Sequence, residues 1–197
     1  MADKNKVVFG LSNVYFGKYN VATDGTVTLG APVKVLGAVN MSLEPQSEEN
    51  VFWADNVKYY TSFSDNGFEG ELEMARFPDT FKTTFLNYVA LADGGIGQVK
   101  GMETDPVYIM FEIDGDKQKR RGILYNASLG AITREYATTE DTKEPQTATL
   151  AFTVNGDANT GLTRASYDEE AAGYATLFTD HQHRHYLQAH KNRRTKQ

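Results

Sequence analysis

The residues best able to do chemistry in this 197-residue chain are four histidines, His181, His183, His185 and His190, and the alternating acids Glu69, Glu71 and Glu73. His-x-His-x-His places imidazoles on one face of a strand, where they could ligate a metal. A metal site also needs a convergent, supported ligand shell. Here every histidine falls in the last seventeen residues, beside Arg184, Lys191, Arg193, Arg194 and Lys196, so they read as part of a solvated tail. With no histidine before residue 181, triad-type catalysis lacks a base. The acids, together with Asp55, could serve a paired-carboxylate hydrolase if two carboxyls met about 5–10 Å apart in a cleft. They fit a solvated strand face as well. Gly94-Gly-Ile-Gly97 is not followed by Gly-Lys-Ser/Thr, and neither G-x-S-x-G nor H-E-x-x-H occurs. Asp114-Gly-Asp116 is too short for a calcium loop. Cysteine is absent, which excludes thiolate chemistry and disulfides. No catalytic, metal-ligating or cofactor-binding residue is assigned, and the chain is not expected to be an enzyme.

Composition turns attention to structure. Hydrophobic residues make up 40% of the chain, and eleven Tyr, eleven Phe and seventeen Gly favour strands and turns. The formal charge is −6, of which the last seventeen residues hold +5, so the first 180 carry −11. An acidic body argues against general nucleic-acid binding, which needs clustered cations. No apolar stretch suits a signal peptide or a membrane span.

The elements that position these residues centre on Val51–Met74. Asn66-Gly67 between two β-rich runs predicts a type I′ hairpin turn. Beyond it, Phe68, Gly70, Leu72 and Met74 alternate with Glu69, Glu71 and Glu73, giving one apolar and one acidic face. Phe52, Trp53, Tyr59, Tyr60 and Phe63 crowd aromatics just before it. Residues 33–43 alternate as a long strand, and Glu44–Asn50, with Pro45 and three acids, reads as the polar tip of an exposed hairpin or loop. Phe81, Phe85, Tyr88 and Val89 form a helical stripe over Pro78–Leu91. Val107–Asp114 and Lys119–Leu129 predict a hairpin whose first strand, apolar on both faces, is central; residues 147–154 alternate again. Ser166-x-x-Glu169 has capping-box form before a stripe of Tyr167, Ala171, Tyr174 and Phe178, predicting a C-terminal helix over 166–180. The expected organisation is a mainly β domain over 1–165 with a flanking helix near 78–91, the C-terminal helix, and a basic tail over 181–197.

An ordered set of short motifs then resembles a family. Gly37-Ala-Val39, Met41-Ser-Leu43, Phe52-x-Ala54-Asp-Asn56, Tyr59-Tyr60, Asn66-Gly-Phe-Glu-Gly-Glu-Leu-Glu73 and Pro78-Asp79 are followed by Phe111-Glu112, Arg121, Leu124-Tyr-Asn126 and Glu144-Pro-Gln-Thr147. Over residues 6–155 they resemble the major tail proteins of long, non-contractile-tailed bacteriophages. The histidine- and arginine-rich end has no counterpart in that resemblance.

The resemblance implies a β-sandwich or half-barrel of the tail-tube type, whose copies form hexameric rings that stack into a tube delivering DNA. A long hairpin would reach from ring to ring, making Glu44, Pro45, Glu48, Glu49, Phe52, Trp53, Asp55 and Asn56 candidate inter-subunit contacts. Glu69, Glu71 and Glu73, with Asn40 and Ser42, are candidates for the lumen, where negative charge would let DNA slide without specific binding. The implied partners are copies of the chain itself, a tape-measure protein and a tail-terminator protein. No cofactor and no membrane anchor are implied, and the place is the virion tail, assembled in the host bacterial cytoplasm. Two other readings stay open: the carboxylate hydrolase, and a monomeric carbohydrate-binding β-sandwich module with Trp53, Tyr59 and Tyr60 as a stacking platform.

Overall fold

The computed structural model describes residues 10–115, 118–136, 138 and 146–179. The predicted basic tail over 181–197 and the first residues of the predicted opening strand, 7–9, lie outside that set.

Strands dominate: β1 (Leu11–Val21), β2 (Val27–Leu29), β3 (Val33–Val35), β4 (Ala38–Ala54), β5 (Val57–Met74), β6 (Val89–Ala90), β7 (Ile96–Gly97), β8 (Val107–Ile113), β9 (Arg121–Arg134), β10 (Ala148–Val154) and β11 (Arg164–Tyr167), with one helix, α1 (Asp79–Phe85). A nine-stranded sheet runs β2-β1-β8-β9-β10-β5-β4, with β3 added on β1 and β11 on β9. All of its pairings are antiparallel. β3 and β4 are separated only by Leu36-Gly37, yet β3 pairs with β1 near one end of this order and β4 with β5 at the other. The segment therefore bridges the two margins, and the sheet curls around its apolar face as a half-barrel. Gly37 makes the bend at φ 95°, a backbone region that costs a glycine no Cβ clash.

Inside the curl the alternating faces of the strands converge. Leu150, Phe152 and Val154 of β10 meet Leu72 and Met74 of β5, Phe16 of β1 and Ile109 of β8 in one buried core. β8 is apolar on both faces, as expected of a central strand. Val107, Ile109 and Phe111 enter the main core, while Tyr108 and Met110 enter a second cluster with Ile123, Tyr125 and Leu177. α1 packs Phe81 and Phe85 onto the main core, where Phe16 meets Phe81 edge-on at 4.8 Å and Phe77 lies 5.1 Å from Phe81. The helix is shorter than the Pro78–Leu91 stripe suggested. Asn87 takes φ 54° just past its end, a left-handed stop of the kind that terminates helices, and Val89 turns into a short β pair with Gly97.

The predicted C-terminal helix over 166–180 is not formed by the described residues. Ser166 and Tyr167 are instead drawn into β11, opposite Gly122 and Arg121 of β9. Residues 168–179 follow as successive turns, with the amides of Ala171, Tyr174, Leu177 and Thr179 each donating to the carbonyl three residues back. The apolar stripe still packs. Leu177 is buried, Phe178 stacks on Tyr15 at 4.7 Å, and the Arg121 guanidinium lies between the Tyr174 and Phe178 rings at 3.9 and 4.5 Å. Strand pairing removed the capping box, and Gly173 weakens any helix that would start later.

One buried polar knot pins the loop after β10. The Tyr19 hydroxyl donates to Asp157 Oδ2 at 2.8 Å, and the Thr160 amide and hydroxyl donate to Asp157 Oδ1 at 2.8 and 2.7 Å. The Ala158 amide donates to the Tyr19 oxygen at 2.8 Å. Burial first, and then the Asp157 carboxylate, push the Tyr19 phenol well above its ordinary value.

Candidate assembly surface

β4 and β5 form one long hairpin, and its geometry corrects two expectations. Asn66-Gly67 is not the turn. Pro45 pairs with Phe68 and Ser47 with Asp65, so Asn66 and Gly67 together oppose Gln46 as a β-bulge. Gly67 takes φ 95°, its amide donates to Asp65 Oδ1 at 3.0 Å, and a Cβ there would clash with the Val154 carbonyl oxygen. The true turn is Asp55-Asn56, at φ 50° and 63°, the two positive values that a type I′ turn requires. Glu44–Asn50 is correspondingly not a loop tip: it lies within β4, with Pro45 accommodated beside the bulge, where ladder bonding is already interrupted.

β10 pairs with β5 only from Phe68 to Met74. Beyond that, Ser47–Ala54 and Val57–Asp65 continue as a two-stranded arm, roughly 30 Å long at about 3.3 Å per residue. Along it Phe52 faces Tyr60, Asn50 faces Ser62 and Glu49 faces Phe63. Phe52 and Phe63 therefore lie on opposite faces. Phe52, Trp53, Val57, Tyr59, Tyr60 and Phe63 are all between 57% and 73% exposed. A lone two-stranded ribbon is marginal in water, and exposed apolar surface of this extent marks an interaction site. Of the candidate inter-subunit residues, Glu48, Glu49, Phe52, Trp53, Asp55 and Asn56 lie on the arm, and Glu44 and Pro45 stand at its root.

The candidate lumen residues are brought together. Asn40 pairs with Glu73, Ser42 with Glu71 and Glu44 with Glu69, so one outer face of the β4–β5 pair carries all of them. β10 continues this face with Thr149, Ala151 and Thr153, opposite Glu73, Glu71 and Glu69. β9 adds Ser128 and Thr133. The surface is acidic and made of small side chains, and the Thr147 hydroxyl donates to Glu73. Glu44 directly opposite Glu69 is an unfavourable like-charge pair, which a stability-driven surface would avoid.

The Asp55 of the hydrolase reading is kept apart from the acidic strand. Asp55 sits at the arm's tip, about eleven residues along the strand from the level of Glu69, roughly 35 Å away. The aromatics of the carbohydrate reading occupy a projecting ribbon rather than a cleft. Among the described residues, no group of three or more His, Asp and Glu is placed to hold a metal ion, and no helix is long and apolar enough to cross a membrane. Sequence reasoning found the arm's aromatics and a long hairpin but placed its tip at Glu44–Asn50. The missed signal was Asp55-Asn56, since asparagine and aspartate adopt positive φ more readily than other non-glycine residues.

No family model matches the chain, and no curated protein does. Among solved structures, it is similar to a chain of the PVC sheath–tube complex of an extracellular contractile injection system in its extended state, at 8% identity and TM-score 0.47, covering 79% of this chain and 88% of that one. It is also similar to a chain of the anti-feeding prophage cap, at 9% identity and TM-score 0.48, covering 85% and 97%. A chain of the anti-feeding prophage baseplate gives 8% identity and TM-score 0.46, covering 86% and 99%.

Proposed function

We propose that this chain is a structural subunit of a bacteriophage tail tube, polymerising as stacked hexameric rings around a DNA-conducting lumen. The observation that carries this reading is the arm, with six large apolar side chains exposed on a two-stranded ribbon that has no core of its own. Fully burying such a side chain contributes about 1.5–3 kcal/mol. Six of them, already partly covered, amount to the order of 10 kcal/mol. Association costs about 4–15 kcal/mol, so one docked arm gives a weak contact and a repeating array gives a firm one. A structural subunit uses such an arm; a carbohydrate module or an enzyme has no need of it.

In this reading residues 1–165 form the tube domain, 166–180 a C-terminal strap, and 181–197 an appended basic tail. The acidic face of Asn40, Ser42, Glu69, Glu71 and Glu73 lines the lumen, where repulsion of phosphate keeps DNA moving. The subunit works in the virion tail after assembly in the host cytoplasm, alongside a tape-measure and a tail-terminator protein. It performs no catalysis and takes no cofactor.

The test is to shorten the arm. Replacing Glu48–Ser64 by Asn-Gly joins Ser47 to Asp65, which already face each other. The shortened chain is expected to stay folded and monomeric under conditions in which the full chain forms tubes in negative-stain micrographs. Tubes of normal diameter from the shortened chain would refute the role of the arm.

A further inference from the structure

The tail-tube reading says that the arm docks on another subunit but not where. A cleft of about 530 Å³ opens between β4 and β11. Half-buried or buried Met41, Leu43, Phe111 and Ile113 line it, with Arg120 and Arg164 also at its wall. Arg164 is exposed, and its guanidinium is held over the Phe68 ring, 5.5 Å from the centroid. β11 is paired only with β9, and β4 only with β5, among the described residues. The cleft thus combines an apolar floor, fixed positive charge and two strand edges open to another chain.

The arm has the complementary character. Residues 47–65 hold Glu48, Glu49, Asp55 and Asp65 against the single cation Lys58, a formal −3, interleaved with the exposed aromatics. Apolar side chains flanked by acids suit a floor of Met, Leu, Phe and Ile edged by arginines, and an extended segment suits an open strand edge. Resting on the assembly reading above, we propose that the cleft between β4 and β11 is the socket for the arm of a second copy of this chain. Arm and socket are different surfaces, so the contact is heterologous: each copy gives an arm and receives one, and the contact propagates into rings or filaments rather than closing as a dimer.

Two defective full-length proteins separate this inference from the reading beneath it. Arg164→Glu keeps the arm and reverses the socket's exposed charge, whereas the Asn-Gly replacement of Glu48–Ser64 keeps the socket and removes the arm. Each alone is expected to remain monomeric by sedimentation velocity, with Arg164→Gln raising the assembly threshold less than Arg164→Glu. Mixed in equal amounts, they are expected to form a one-to-one heterodimer, through the intact arm of the first in the intact socket of the second, and to stop there. Glu48→Arg/Glu49→Arg in the Arg164→Glu background is expected to recover at least part of the assembly. If the arm-shortened chain is monomeric while Arg164→Glu assembles at the wild-type threshold, the arm is needed but this cleft is not its socket. A mixture of two folded, unmixed monomers would overturn the socket in the same way. Assembly of the arm-shortened chain alone would instead overturn the role of the arm on which the socket rests.

Discussion

Phe52 lies directly opposite Tyr60 across the arm, and both rings are 62% exposed. Cross-strand aromatic pairs stabilise a ribbon by roughly 0.2–1 kcal/mol, too little to hold this one straight on its own. The pair is therefore placed for something other than the fold of the subunit that carries it.

Replacing both with serine is expected to leave the melting temperature of the isolated subunit nearly unchanged, because exposed positions contribute within about 0.5 kcal/mol each. The threshold concentration for assembly should rise at least tenfold, read by light scattering. A large loss of thermal stability with unchanged assembly would place these rings in the subunit's own core.

Phe85, 2% exposed and 5.2 Å from Phe81, anchors α1. Phe85→Ala should cost about 3–5 kcal/mol, measured by urea denaturation of the arm-shortened monomer. An unchanged midpoint would mean that the helix does not close the core.

How much of this was legible in the sequence varies with what fixed each element. β8, apolar on both faces, and β10, apolar at alternate positions, are readable because burial in a single chain sets both patterns. The acidic face was readable because Glu69, Glu71 and Glu73 alternate with Leu72 and Met74. The hairpin turn was misplaced because Asn66-Gly67 is the stronger local turn signal, yet the tertiary contact of Gly67 with the Val154 carbonyl uses its positive φ for a bulge. Pro45 reads as a strand-breaker, but a bulge across from it removes the ladder bond it would have lacked. The C-terminal stripe was correctly apolar and wrongly helical, since pairing with β9 claimed Ser166 before a helix could start.

Alkaline pH offers a test of the Tyr19–Asp157 knot. Burial raises the phenol pKa of both Tyr19 and Tyr108 in the folded protein, while in the unfolded chain tyrosines titrate near 10. The unfolded state then holds fewer protons, so the stability these groups contribute is intact below about pH 10 and falls as pH rises through the folded values. The expected slope is up to about 1.4 kcal/mol per pH unit for each group. Tyr19→Phe should flatten it, in denaturation midpoints compared between pH 9 and 11.5. An identical slope in the variant would show that Tyr19 ionises freely.

Glu71 is exposed, facing Ser42 on one side and Ala151 on the other. Glu71→Lys is therefore expected to spare folding and tail assembly while attracting phosphate wherever this face meets DNA. Phage carrying it should eject DNA more slowly, with the defect relieved by added salt. Normal ejection at low ionic strength would put the acidic face on the outside of the tube.

The most direct measurement is negative-stain microscopy of the purified full-length chain across increasing concentration, with end-on particles averaged without imposed symmetry. The account predicts striated tubes with a central channel and sixfold end views. A chain that remains a monodisperse monomer at high concentration, with the aromatic rings of its arm still facing water, would contradict it.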